Sequence, residues 1–158
     1  MIGVLALQGA FQSHQALLEA LGHTTHQVRT PADLERVHAL VMPGGESTTM
    51  SRLLDTSSLF EPIAQRLAAG MPAFGTCAGM ILLADEILDG RPDQRSFGAI
   101  DITVQRNGYG RQLDSFETDL MVLGSGPDEP PFHGVFIRAP KVTRVGADVE
   151  VLAEHAGV

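Results

Sequence analysis

Cys77 is the one cysteine in a chain of 158 residues, and its neighbours make it the first candidate for chemistry. It stands in Phe74-Gly75-Thr76-Cys77-Ala78-Gly79-Met80, a G-x-C-x-G pattern where a strand-like run gives way to a helix-like one. This is the cysteine form of the G-x-S-x-G nucleophile elbow. There the nucleophile sits on a tight strand-to-helix turn, and the residues two places either side must be small for strand and helix to approach. The thiol is expected to point out above the sheet at a helix N-terminus, where aligned backbone dipoles favour negative charge. The Ala78 amide is then placed to donate to an oxyanion formed on an attacked carbonyl. The competing account is a buried, inert cysteine, a common fate of a free thiol.

A second group, Pro43-Gly44-Gly45-Glu46-Ser47-Thr48-Thr49, follows another apolar run. Glycines at the carboxyl end of a parallel strand let the backbone approach a ligand and can turn amides toward an anion. The same residues also fit a plain turn into a helix capped by Ser47. No lysine follows the glycines, so a nucleotide-binding loop is not expected. Arg106 and Arg138 stand at the ends of strand-like runs. Arginine can clamp a carboxylate through two parallel N–H bonds, although each reads singly as a solvated surface residue. A thiol nucleophile needs a base. The histidines are His14, His23, His26, His38, His133 and His155, and none has an orienting carboxylate in a recognisable motif. The residues alone give a nucleophile without a base. They offer no metal-ligand cluster, and neither a metal nor a cofactor is expected.

The elements that must carry these residues follow from hydrophobic periodicity. Ile2–Leu7 is a continuous apolar run, as in a strand buried on both faces. Phe11–Leu21 reads as a helix ended by Gly22. Thr24–Val28 is a second strand, Pro31–Val37 a helical turn with proline in its favoured first-turn position, and His38–Met42 a third strand. Leu59–Ala69 is a helix, with Ser58 and Glu61 at capping-box spacing. Pro72–Gly75 is a strand and Ala78–Leu88 a helix. This alternation predicts an α/β fold around a parallel sheet. The second half changes character: Gly90–Ser96 is polar, Ile100, Ile102 and Val104 alternate with polar residues, as do Phe116, Thr118 and Leu120 more weakly, and alternation recurs at Val135 and Ile137 and at Val149 and Val151. These predict antiparallel strands, added to the same sheet or forming a small extension of it, with Gly124–Pro131 as a loop.

Composition sets the outer bounds. At about 100–200 residues per domain, this length predicts one domain, residues 1–158. Eleven Lys and Arg against nineteen Asp and Glu give a net charge of −8, which disfavours nucleic acid as a partner. No apolar run reaches membrane-spanning length. The N-terminus lacks the basic start of a signal peptide, and a single cysteine fits a reducing cytoplasm.

Several motifs together resemble one family. LALQGAFQSH, VMPGGESTTMSRLLD, FGTCAGMILLADEI, RNGYGRQLDSFE and GVFIRAPKV occur in the order and spacing of the glutaminase subunits of pyridoxal 5′-phosphate synthase, which are class I (triad) glutamine amidotransferases. GTCAG alone indicates only the superfamily; PGGEST with RNGYGRQLDSF and FIRAP is far more specific. The resemblance implies a three-layer, flavodoxin-like α/β fold with a mostly parallel central sheet and added antiparallel strands in the second half. It implies hydrolysis of L-glutamine to glutamate and ammonia through a thioester on Cys77. Gly45 and Ala78 correspond to the oxyanion hole, and Gly45, Glu46, Ser47, Arg106, Ile137 and Arg138 to the glutamine pocket. Gln8 corresponds to a residue near the active site at the subunit interface. The implied partner is the (β/α)8-barrel synthase subunit, in a large hetero-oligomer, which receives the ammonia for vitamin B6 synthesis.

Members of this family carry a His-Pro-Glu segment that supplies the base and its orienting carboxylate, and these 158 residues contain none. The single domain is therefore expected to lack its C-terminal segment. Two other readings stand beside the leading one. One is the glutaminase of another amidotransferase, such as that of histidine biosynthesis, against which RNGYGRQLDSF and FIRAP argue. The other is a non-catalytic glutamine-binding or docking module, if the chain ends at Val158.

Overall fold

Four short apolar runs pair side by side to make the centre of the molecule. In the computed structural model, which describes residues 1–106, 108, 115–126, 128–137 and 139–155, β1 (Ile2–Leu5), β2 (Thr25–Val28), β3 (Ala39–Met42) and β4 (Ala73–Gly75) form a sheet of order β2-β1-β3-β4. Every pairing in it is parallel, with Ile2 opposite both Thr25 and Ala39, and Val41 opposite Phe74. Val4, Leu5, Val28, Leu40 and Met42 are fully or almost fully buried, as expected of strands covered on both faces.

The helices follow the expected order, except that two of them, not one, separate β3 from β4. They are α1 (Phe11–Ala20), α2 (Pro31–Leu34), α3 (Ser47–Thr56), α4 (Phe60–Ala68) and α5 (Ala78–Leu83). The chain runs from β1 outward to β2, then back across β1 to β3. Right-handed crossovers therefore put α1 on one face and α2 on the other, which makes the three layers. Thr30 caps α2: its hydroxyl accepts from Asp33 N while the Asp33 carboxylate accepts from Thr30 N. Leu54, Leu59, Ile63, Leu82 and Leu83 close the main core against the sheet. Among the described residues no helix is long and apolar enough to cross a membrane.

The structure corrects several expectations. The helix expected over Ala78–Leu88 stops at Leu83, and Ala84–Ile87 is strand β5. Pairing decides this: β5 runs parallel to β6 (Ile100–Gln105), and Ala84 packs with Ile81, Ile102 and Val104 in a second apolar cluster. Tertiary contacts thus override the helical tendency of Ala-Asp-Glu. Ser58 caps no helix. Its backbone is left-handed (φ 57°), whereas an N-cap needs extended backbone, and it closes α3 through bonds from Ser58 N to Asp55 O and Leu59 N to Leu54 O. Glu61 pairs with Arg95 instead.

The added strands are not part of the main sheet. β5, β6 and β9 (Lys141–Val145) form a three-stranded sheet, with β6 and β9 antiparallel, and β7 (Phe116–Leu120) and β8 (Phe132–Phe136) form a separate antiparallel ribbon. Ile137 lies one residue past β8. Val149 and Val151 belong to no strand, and the strand missing from the sequence reading is β9, whose Lys-Val-Thr-Arg-Val is half polar and half exposed.

Candidate active site

The strand order reverses between β1 and β3, and ligands of open α/β sheets bind beyond the carboxyl ends of the strands at such a switch point. Three segments meet there: Gln8-Gly9 after β1, Pro43–Glu46 after β3, and Thr76-Cys77 after β4.

The turn at Cys77 is built as its sequence requires. Thr76 N donates to Met42 O (3.1 Å), Gly79 N to Thr76 O (2.9 Å) and Ile81 N to Cys77 O (3.1 Å). Cys77 itself is held at positive φ (φ 50°, ψ −107°), outside the helical conformation that begins at Ala78. For a residue with a Cβ this is a strained conformation, costing about 1–3 kcal/mol, and such strain gathers at functional sites. Gly75 and Gly79 make room for it. A Cβ on Gly75 would lie 2.7 Å from Met80 N, and one on Gly79 would run into the Met42 carbonyl. Cys77 is exposed and free of any disulfide, so the buried, inert alternative does not hold. Ala78 is fully buried and opens α5, where first-turn amides have no partner within the helix.

The glycine loop faces this turn. A Cβ on Gly44 would sit 3.3 Å from that of Cys77. The helix that follows is capped by Glu46, not by Ser47. The Glu46 carboxylate accepts from Thr48 N (3.1 Å), from Thr49 N (2.7 Å) and from the Thr49 hydroxyl (2.7 Å). Partial burial alone would raise its pKa, but the hydrogen bonds from Thr49 and Thr48 outweigh that and bring it down from 4.5 to about 2. Gln8 holds the loop from behind, Nε2 donating to Glu46 O at 2.8 Å. Gly9, at φ 81°, lies so close to the Gly44 carbonyl that any side chain there would displace it.

Arg106, at the end of β6, completes the wall. Its Nη2 pairs with Glu46 (3.2 Å), its Nη1 donates to Gln94 Oε1 (3.1 Å), and its Nε is buried with no partner among the described residues. Gln94 in turn donates to Ser47 Oγ (3.1 Å). Gly45, Glu46, Ser47, Cys77, Ile81, Arg106 and Ile137 line a cavity of about 230 Å³, suited to a small polar metabolite. Cys77 and Ile137 also line a second, more apolar cavity with Thr76, Met80 and Phe136, so the thiol is open from two sides.

Of the residues singled out in the sequence, the structure brings Gly45, Glu46, Ser47, Cys77, Arg106 and Ile137 to one cavity, with Ala78 beside Cys77. Arg138 lies outside the described residues, as do Asn107 and 109–114 of the RNGYGRQLDSF segment. Sequence reasoning missed Gln94, which sits in a loop read only as polar, and Ile81, read as ordinary helix. It also gave no role to His14, whose Nε2 lies 3.1 Å from the Thr76 hydroxyl and whose ring meets Phe74 edge-on. Among the described residues no group of three or more His, Cys, Asp or Glu could hold a metal ion.

Comparison with known proteins agrees with this geometry. Residues 4–158 match the SNO glutamine amidotransferase family. The pyridoxal 5′-phosphate synthase subunit PdxT of Saccharopolyspora erythraea is 58% identical, over 99% of this chain and 73% of its own. The PdxT of Salinispora arenicola is 58% identical, over 96% of this chain and 75% of its own. A solved crystal structure of a glutamine amidotransferase, 46% identical, superposes with a TM-score of 0.89 over 99% of this chain and 81% of that one. With a strained cysteine turn, a glycine loop facing it and an arginine at the far wall, the chain belongs to the SNO glutamine amidotransferase family.

Proposed function

We propose that the protein is the glutaminase subunit of pyridoxal 5′-phosphate synthase, hydrolysing L-glutamine to glutamate and delivering the ammonia for vitamin B6 synthesis. The observation that carries this reading is the strained, exposed Cys77 sharing one small cavity with Glu46, Ser47 and Arg106. Arg106 offers a buried Nε with no partner among the described residues, and a ligand acceptor would remove the penalty of leaving that donor unsatisfied. The α-carboxylate of glutamine is the natural acceptor, clamped by the guanidinium, with Ile137 lining the same cavity; by the resemblance, Arg138 also belongs to the pocket.

The side-chain amide then lies toward Cys77. The thiolate attacks its carbon, the carbonyl pair moves to oxygen, and the amides of Gly45 and Ala78 hold the oxyanion. Collapse breaks the C–N bond, the nitrogen leaves as ammonia after gaining a proton, and water hydrolyses the thioester to glutamate and free thiol. By the resemblance, the proton acceptor is the histidine of a His-Pro-Glu segment that these residues do not include. The partner is the (β/α)8-barrel synthase subunit, within a large hetero-oligomer in the cytoplasm.

A glutamine-derived chloroketone tests the reading. With the synthase subunit present it is expected to add once, at Cys77, by peptide mass, and excess glutamine is expected to protect. Cys77 left unmodified at saturating reagent would overturn the assignment.

A further inference from the structure

We infer that Gln94 is a positioning residue for the substrate's amino-acid end, an inference that rests on the glutamine-binding reading above. Its carboxamide joins two walls of the cavity that come from distant parts of the chain. Nε2 donates to Ser47 Oγ at the start of α3, and Oε1 accepts from Arg106 Nη1 at the end of β6, both at 3.1 Å. An amide suits this place because one end only donates and the other only accepts, so the two bonds fix which way round it sits. The consequences fall on the cavity. Ser47 Oγ is the acceptor of one bond, which leaves its own O–H to donate elsewhere. Arg106 has Nη1 held by Gln94, Nη2 by Glu46, and Nε buried with no partner among the described residues. Gln94 thereby sets the spacing of two donors, the Ser47 hydroxyl and the Arg106 guanidinium, that face one anionic group.

The loop carrying Gln94 is fastened on both sides of it. Asp93 accepts from Arg52 Nη2 of α3 (2.8 Å) and Arg91 Nε (3.2 Å). Arg95 N donates to Ser51 Oγ (3.0 Å), while its guanidinium reaches Asp55 (3.0 Å) and Glu61 (2.7 Å) and lies 3.6 Å over the Phe60 ring. Exposed ion pairs add little stability one by one. Flanking a single half-buried glutamine, they restrict where its amide can go. The arrangement is that of a support holding binding groups in place.

The test is glutamine binding by calorimetry to the full chain in a Cys77→Ala background, where no turnover interferes, adding Gln94→Leu or Gln94→Glu. Leucine keeps the bulk and removes both bonds. Glutamate keeps an acceptor for Arg106 but sets a negative charge beside the guanidinium that receives the carboxylate. Each is expected to weaken the glutamine Kd by about tenfold, the scale of one net hydrogen bond to a charged group, with the stoichiometry unchanged. A merely structural role would lower the stoichiometry of competent sites and leave Kd alone, and that result would overturn the inference, as would unchanged binding in both variants. If the Cys77→Ala protein itself binds no glutamine, the glutamine reading falls and this inference falls with it. Binding that survives both substitutions removes only the role of Gln94.

Discussion

The Glu46 carboxylate caps a helix and pairs with Arg106 at once, and the two tasks separate under mutation. Removing the cap by Glu46→Ala is expected to cost about 1 kcal/mol of stability, read from the urea midpoint. Glutamine affinity should fall further than that loss explains, because among the described residues the Arg106 guanidinium then keeps only its bond to Gln94. The pH dependence follows from the lowered carboxyl. Its folded pKa of about 2 lies below the ordinary 4.5, so its contribution to stability is present above about 4.5 and is lost as pH falls toward 2. A ¹³C titration should show the Glu46 carboxylate ionised well below pH 4, and a midpoint near 4.5 would show that the cap does not form in solution. At this scale the sequence was legible where chemistry demanded a pattern. Cys77 stood out because strand and helix can meet around it only across Gly75 and Gly79. Gln94 carried no such mark, since a side chain that bridges two walls from an irregular loop has no period to betray it.

Between residues and fold lie the elements, and there the nucleophile turn is the least tolerant. Gly79, the second residue of α5, lies directly against the Met42 carbonyl, and Gly75 ends β4 against the Gly79 and Met80 backbone. The neighbours are main-chain atoms of the central sheet, which cannot swing aside as a side-chain tip could. Gly79→Ala is therefore expected to cost about 1–3 kcal/mol as overpacking and to cut the rate of Cys77 alkylation by the chloroketone more than tenfold, since α5 must shift away from β3. Gly70→Ala is the control for a glycine outside the site. It lies at φ 88° with open space around it, so it should lose stability from backbone strain alone and leave the alkylation rate unchanged. Periodicity found this junction but overran the helix, because Ala84 and Ile87 continue the helical spacing of Met80 and Leu83. Only the partner strand β6, distant in sequence, makes them a strand. The same lack of local signal hid β9, whose alternation is blurred by Lys141, Thr143 and Arg144.

The whole molecule rests on two apolar clusters, and α5 belongs to both. Ala78, Leu82 and Leu83 lie in the main cluster with Leu5, Leu40, Met42 and Leu54, whereas Ile81 packs with Ala84, Ile102 and Val104 in the second. Ile100 touches each of them. The helix that begins at the nucleophile is thus the joint between the parallel sheet and the β5-β6-β9 sheet, which among the described residues share no hydrogen-bonded strand pair. The parallel half could be read from continuous apolar runs such as Ile2–Leu5. The division of the second half into separate sheets could not, since alternation reports a half-buried strand but not which sheet buries it. A shared helix makes one cooperative transition the expected behaviour. Far-UV circular dichroism and hydrogen exchange of the β1, β3 and β6 amides should therefore lose structure at one denaturant midpoint. Leu82→Ala, fully buried in the main cluster, should lower that midpoint by the equivalent of about 2–5 kcal/mol, and β6 should follow β3 down although Leu82 belongs to the main cluster. If β6 instead exchanged early while β1 and β3 stayed protected, α5 would not be transmitting stability, and the strained turn at Cys77 would be held by the parallel sheet alone.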